Sequence, residues 1–298
     1  MRSLVLVACL LAATPAAAQD QMLGEAHAVG GAPVELVVRW TGRDGRPHGV
    51  VEVRAGGQTR AVHEGTPAYA WAAGGEHGLL VAMVGASASV EVAYVPIVDG
   101  HPGAPRRHSV HRLAGPDRAP IGAAVAARPD GFAVFWQEAS TSNPSAIYET
   151  YGIRFDAEGT VIGDTQRVQA PWPIADVAWI PASNQYYFLL FYGGSDPNGT
   201  RLCGVHVDPA RLANVEHPWW SSRPGAIDEA RLAVRGGRVV AVYREAGHLH
   251  EIDVTQGSWG RDPDAGATRD RGAIAATEAY GVEGTDEGVT IRRVALGP

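Results

Sequence analysis

An all-β fold assembled from repeats is what this sequence predicts, on three observations. The first is a recurring phrase. "AVAARPDGFAVFWQEA", Ala124 to Ala139, sets a short Ala/Val run, a turn, and a longer apolar run ending near an aromatic residue. The same order returns in "YAWAAGGEHGLLVAMVGA" from Tyr69, "VAWIPASNQYYFLLFYGG" from Val177 and "ARLAVRGGRVVAVYREAG" from Ala230, with a fainter copy, "AHAVGGAPVELVVRWTG", from Ala26. Equating Trp40, Met83, Trp136, Phe191 and Tyr243 gives a period of roughly fifty residues, the size of a structural repeat. The second observation is an alternating segment after each phrase: "GVVEVRAG", "SVEVAYVPIV", "AIYETYGIRFD", "TRLCGVHVD" and "HLHEIDV" alternate too regularly for helices. The third is that no segment carries a helical apolar period of useful length. Four antiparallel strands in roughly fifty residues is the signature of a β-propeller blade.

Taken in order, the blades fall at 21–65, 66–116, 117–171, 172–222, 223–268 and 269–298. The first strand of each is rich in Ala and Gly because innermost strands crowd around an axis. The second and third are bulky because they fill the space between neighbouring sheets. A fourth strand closes several repeats, as in "QTRAVHE", "RRHSVHRL" and "TQRVQA". The last repeat, "GAIAATEAYGVEGTDEGVTIRRVAL", offers three strands, so Gln21–Gly24 is expected to supply its outer strand and close the ring. Closure removes exposed sheet edges. Six blades is the expected count, with five blades and an irregular cap as the alternative.

Residues 1–18 read as a cleaved signal peptide. Arg2 supplies the positive start, Leu4 to Ala13 the apolar core, and Ala16-Ala17-Ala18 the small-residue cleavage site, so residues 19–298 form one propeller domain. A second reading takes Leu6-Val7-Ala8-Cys9 as a lipobox, which would anchor Cys9 to lipid. Periplasmic or extracellular residence is expected, with no later segment apolar enough to span a bilayer. Loss of Cys9 leaves Cys203 alone, so no intrachain disulfide is expected and Cys203 reads as a small core residue.

Composition narrows function further. Hydrophobic residues make up 45% of the chain and charged residues 19%, which is globular rather than disordered. The chain has no lysine, so all 25 basic residues are arginine, a usage that suits a GC-rich bacterial genome. A net charge of −7 without a strong basic block argues against nucleic-acid binding as the main task.

"PDGFAVFWQEA", then an alternating strand, then "FDAEGTVIGDTQRV", resembles the β-propeller repeats of secreted, uncharacterised bacterial proteins, most closely over residues 120–170. The resemblance implies the propeller fold and a cell-envelope setting, and carries no catalytic residues. Sharper motifs are missing: "SDPNGT" at Ser195 lacks the spacing of a sialidase Asp-box, and no His-Glu-x-x-His, Gly-x-Ser-x-Gly or Walker loop occurs.

A ligand is expected at the end where blade-to-blade connections converge. "APWPIAD" and "HPWWSSRPGAIDEA" place Trp172, Trp219 and Trp220 in loops, with Arg223 beside them, where they could stack on a sugar or pack on a peptide. Covers over the inter-blade core are the other reading of these tryptophans. Asp176, Asp228, Glu229 and Asp270 sit near starts of inner strands and could serve as the acid and base of a glycoside hydrolase, although acids there also bind backbone amides. His248 and His250 share a face in His-x-His spacing, and His108 and His111 fall on opposite faces of a strand; both pairs read as polar edges, and no metal or cofactor is expected. The expected function is therefore a non-catalytic, monomeric binding or scaffold protein for a peptide, protein or glycan, with a channel-mouth hydrolase as the alternative.

Overall fold

The computed structural model describes residues 21–43, 46–65, 68–85, 89–112, 118–140, 149–170, 172–192, 201–212, 219–220, 227–235, 238–245, 248–253, 269–273, 279–285 and 288–294. Among them the chain is all-β and folds into a series of antiparallel sheets, each made from consecutive strands. Sheet 1 contains β1 (Gln21–Val29), β2 (Ala32–Arg43), β3 (Arg46–Ala55) and β4 (Gln58–Gly65). Sheet 2 contains β5 (Ala68–Gly74), β6 (Gly78–Gly85) and β7 (Ser89–Val98); the tip of β7 pairs with the short β8 (His101–Pro102) and its body with β9 (Arg106–Arg112). Sheet 3 is β10 (Arg118–Arg128), β11 (Gly131–Ser140), β12 (Glu149–Asp156) and β13 (Val161–Val168). Sheet 4 is β14 (Ile174–Ile180), β15 (Gln185–Tyr192), β16 (Arg201–Val207) and β17 (Trp219–Trp220). Sheet 5 is β18 (Ile227–Arg235), β19 (Arg238–Glu245), β20 (His248–Asp253) and β21 (Arg269–Ala273), and sheet 6 pairs β22 (Ala279–Thr285) with β23 (Gly288–Val294). Nearly every sheet falls inside one predicted repeat. Only β21 runs past its boundary.

The long apolar runs of the second strands follow from burial on both faces. Successive side chains of a strand point to opposite sides. On β6, Leu79, Val81 and Met83 pack with Leu36 and Val38 of sheet 1, while Leu80, Ala82 and Val84 pack with Phe132, Val134 and Trp136 of sheet 3. On β15, Tyr186, Phe188 and Leu190 pack with Phe135 of sheet 3, whereas Tyr187 and Leu189 pack with Val239, Ala241 and Tyr243 of sheet 5. The sheets therefore stack face to face, with a separate apolar layer between each described pair. Alternation would have left one face wet; continuous apolar runs seal both.

First strands lie beside one another: β5 beside β10, β10 beside β14, β14 beside β18, and β1 beside both β5 and β22. Small residues permit this approach. On β10, Ala123, Ala124 and Ala126 are buried, and a Cβ on Gly74 of β5 would come within 2.0 Å of the Ala28 carbonyl oxygen on β1. Tight packing elsewhere also depends on glycine, since Gly78 and Gly159 (φ +76°) flank the Tyr94 ring with no room for a side chain.

Three details differ from the sequence expectation. Gln21–Gly24 does not close sheet 6 as an outer strand; it pairs with Val37–Trp40 as the start of β1, because β2 is twelve residues long and offers it a continuous partner. β21, which carries Asp270, is the outer strand of sheet 5 rather than an inner strand of sheet 6. His108 and His111 stand opposite Val92 and Val90, positions of the same parity, because a bulge between them inserts one extra residue.

Candidate functional site

The start of the first strand is built alike in three sheets. The register shifts between Pro120 and Gly122 on β10, between Ile174 and Asp176 on β14, and between Ile227 and Glu229 on β18. Each bulge lies where the connector from the preceding sheet enters, and bulges re-aim side chains at such points. Asp176 and Glu229 thus occupy equivalent places, Gly122 is their counterpart on β10, and Asp228 is the extra residue of its bulge.

Asp176 is half-buried and committed. Its Oδ1 accepts the Val177 N–H at 2.8 Å and its Oδ2 accepts the Leu232 N–H of β18 at 2.7 Å. Arg231 answers in the other direction, donating from Nη1 to the Ala175 carbonyl at 3.1 Å. These bonds join two neighbouring first strands, each of which pairs, among the described residues, only with the second strand of its own sheet. A backbone amide left unpaired there would cost roughly 1–3 kcal/mol if buried. The side chains of Asp228, Glu229 and Asp270 lie outside the described residues, as does Arg223.

The same end of sheet 3 carries a denser polar network. Glu138 and Glu149 are directly opposed across β11 and β12, and Glu138 is 1% exposed. Arg118, at the start of β10, forms an ion pair with Glu149 and lies 3.9 Å from Glu138. The Trp136 indole N–H donates to Glu138 at 3.4 Å, and the Tyr151 hydroxyl donates to Glu149 at 2.9 Å. Arg167 reaches Glu149 at 3.3 Å from β13. Burial pushes the Glu149 carboxyl upward, but the Tyr151 hydrogen bond and the charges of Arg118 and Arg167 outweigh it, holding Glu149 below the ordinary carboxylate range. Burial and the Glu149 carboxylate raise the Tyr151 hydroxyl in turn.

Gln137 clamps the connector into sheet 4. Its side chain is buried and donates to the Thr150 hydroxyl at 2.9 Å and the Trp172 carbonyl at 2.7 Å, while its oxygen accepts the Ile174 N–H at 2.7 Å. Sequence reasoning passed over Gln137, Glu138, Glu149 and Arg118. The available signal was the pair "FWQEA" and "VYREA", which repeats a glutamate two residues after the ring.

Trp172 lies on that connector, half-buried, and packs against the apolar layer between sheets 3 and 4. Trp219 and Trp220 are not loop residues. They form β17, paired to Gly204 and Cys203, because the chain returns along β16. Trp220 is level in register with Ile174 but three strands away, about 14 Å by ordinary strand spacing. Cys203 is fully buried, and burial pushes its thiol up to about 12, as suits a core residue. His250 stacks on Tyr243 with ring centroids 5.1 Å apart and lies 3.9 Å from Glu245. Among the described residues no three His, Cys, Asp or Glu side chains group as a metal site, and no helix is long and apolar enough to cross a membrane.

No protein-family model matches the sequence, and no curated protein matches it. Among solved structures, the major allergen Mala s 1 of Malassezia sympodialis is similar at 11% identity, over 95% of this chain and 91% of that one, with a TM-score of 0.51. The calcium-binding protein regucalcin from Agrobacterium tumefaciens is similar at 13% identity, over 80% of this chain and 75% of that one, with a TM-score of 0.44. An α-L-arabinofuranosidase from Clostridium thermocellum is similar at 10% identity, over 94% and 93%, with a TM-score of 0.43. At 11% identity the likeness to Mala s 1 is one of fold alone.

Proposed function

We propose that this chain is an exported, closed six-bladed β-propeller that binds a peptide, protein or glycan at its connector end without catalysing a reaction. Support for closure comes from the first strands, which neighbour one another in sequence order and bring β1 beside β22. The N-terminal signal pattern supports export. The observation that carries the non-catalytic reading is Asp176: both of its oxygens hold backbone amides, one of them on the neighbouring sheet. A carboxylate so engaged serves the assembly of sheets 4 and 5. A general acid or base needs an oxygen presented to substrate.

The aromatic residues of sheet 4 and its entry, Trp172 on one edge and Trp219 and Trp220 on the other, with Arg223 following them in sequence, are proposed as separate contact points. A glycan and peptide array probed with the purified protein tests this. Capture is expected, weakened in Trp172→Ala or in the Trp219/Trp220 double alanine. Turnover of an arrayed glycan that disappears in Asp176→Asn would overturn the binding reading in favour of the hydrolase.

A further inference from the structure

We propose that β9, on the outer rim of sheet 2, is a second binding surface that takes a linear anionic polysaccharide. The strand reads RRHSVHR and places Arg106, Arg107, His108, His111 and Arg112 in succession with no acid among them. It pairs with β7 on one side only; no other strand among the described residues pairs with its outer edge. Arg106 and Arg107 are exposed.

Charge on an outer strand ordinarily serves to discourage edge-to-edge pairing, and either sign does that. The other long outer strands behave so. β4 mixes Arg60 with Glu64, and β13 mixes Arg167 with Asp164. Among these strands β9 alone carries a single sign, and it does so in a chain of net charge −7. Arg106 is fixed by the fold: its guanidinium stands 4.8 Å over the Tyr94 ring and donates to the Glu158 carbonyl of sheet 3. It therefore presents a preorganised charge rather than a wandering one. Arg107, opposite Ala93, belongs to the other face. Arg106 and His108 stand opposite Tyr94 and Val92, on the face turned toward sheet 3, where the His108 ring lies 6.2 Å from Phe155, and a bulge at Val110 puts His111 opposite Val90 and Arg112 opposite Ser89.

The same bulge decides the kind of ligand. It interrupts the regular ladder after Ser109, so a partner strand could not pair along the full edge, and recognition falls to the side chains. Three arginines within one strand roughly 20 Å long, on a narrow rim, suit a polymer that repeats its anionic group along a line. A membrane surface would need a broad patch.

Binding of labelled dextran sulfate to the full-length protein, followed by fluorescence anisotropy at low ionic strength, tests the assignment, with neutral dextran, polyglutamate, a single-stranded oligonucleotide and anionic-lipid vesicles as comparison probes. Dextran sulfate is expected to bind, and added salt to weaken it. Arg107→Gln/Arg112→Gln should lower affinity at least tenfold with an unchanged thermal unfolding curve, and Arg211→Gln, an exposed arginine after β16, should leave it unchanged. Lack of binding by the wild type overturns the proposal. So does equal loss in Arg211→Gln, an unchanged affinity in the double variant, or tighter binding of polyglutamate, oligonucleotide or vesicles than of dextran sulfate. Should the double variant misfold, Arg107→Gln alone with Arg112 intact must still show a several-fold loss.

Discussion

Sheets 3 and 5 carry nearly the same phrase, "FWQEA" and "VYREA", and build the same motif from it with different consequences. In sheet 3 Trp136 stacks on Tyr151 across the strands, with planes 23° apart; in sheet 5 Tyr243 stacks on His250 at 24°. In both, a glutamate two residues on lies beside the stack. The difference is in what surrounds it. Glu138 is sealed, flanked by Arg118 and opposed to Glu149, while the Glu245 side chain is 32% exposed. The repeat supplies the ring stack; the neighbouring strands decide whether the acid beside it becomes part of a buried network.

The largest break in that equivalence is expected at the rings. Trp136 is fully buried, so Trp136→Ala should cost about 3–5 kcal/mol, measured by denaturant unfolding. Tyr243→Ala is smaller in volume and is expected to cost less, and an equal loss would mean that the two stacks contribute alike. Next comes the clamp. Gln137→Leu keeps the shape but leaves the Trp172 carbonyl and Ile174 N–H without their partner, so a loss of about 1–3 kcal/mol is expected, with faster amide exchange at Ile174.

The smallest effect is electrostatic and has a definite sign. Glu149 is held below its ordinary value of 4.5 in the fold, so the stability it contributes is fully present above that value and is lost as pH falls through the lower folded one. Arg118→Gln should therefore flatten the acid limb of the stability profile below about pH 4.5 while changing stability at neutral pH less than Gln137→Leu does. An unchanged acid limb would show that Arg118 is not what holds Glu149 ionised.

The repeat, the strand class and most sheet boundaries were legible in the sequence because they follow from local physics. A strand buried on both faces must be apolar at consecutive positions, and a short Ala-rich strand before it marks the place where the first strands of neighbouring sheets lie side by side. Those rules act within a few residues. What the acids do was not legible. Asp176 was visible as a carboxylate at a strand start, but its bond to Leu232 joins residues on different sheets, and Glu138 joins a buried polar network only because Arg118 and Glu149 arrive beside it from two other strands. Bulges hid a further part: one inserted residue shifts the register of everything beyond it, which put His111 opposite Val90 and left Asp228 as the extra residue beside Glu229. Trp219 and Trp220 read as loop residues beside proline because a two-residue strand has no period of its own; pairing with Cys203 and Gly204 defines it. Periodicity is a property of the chain. Register and the partner of each polar group are properties of the assembled sheets, because they depend on which strand arrives alongside.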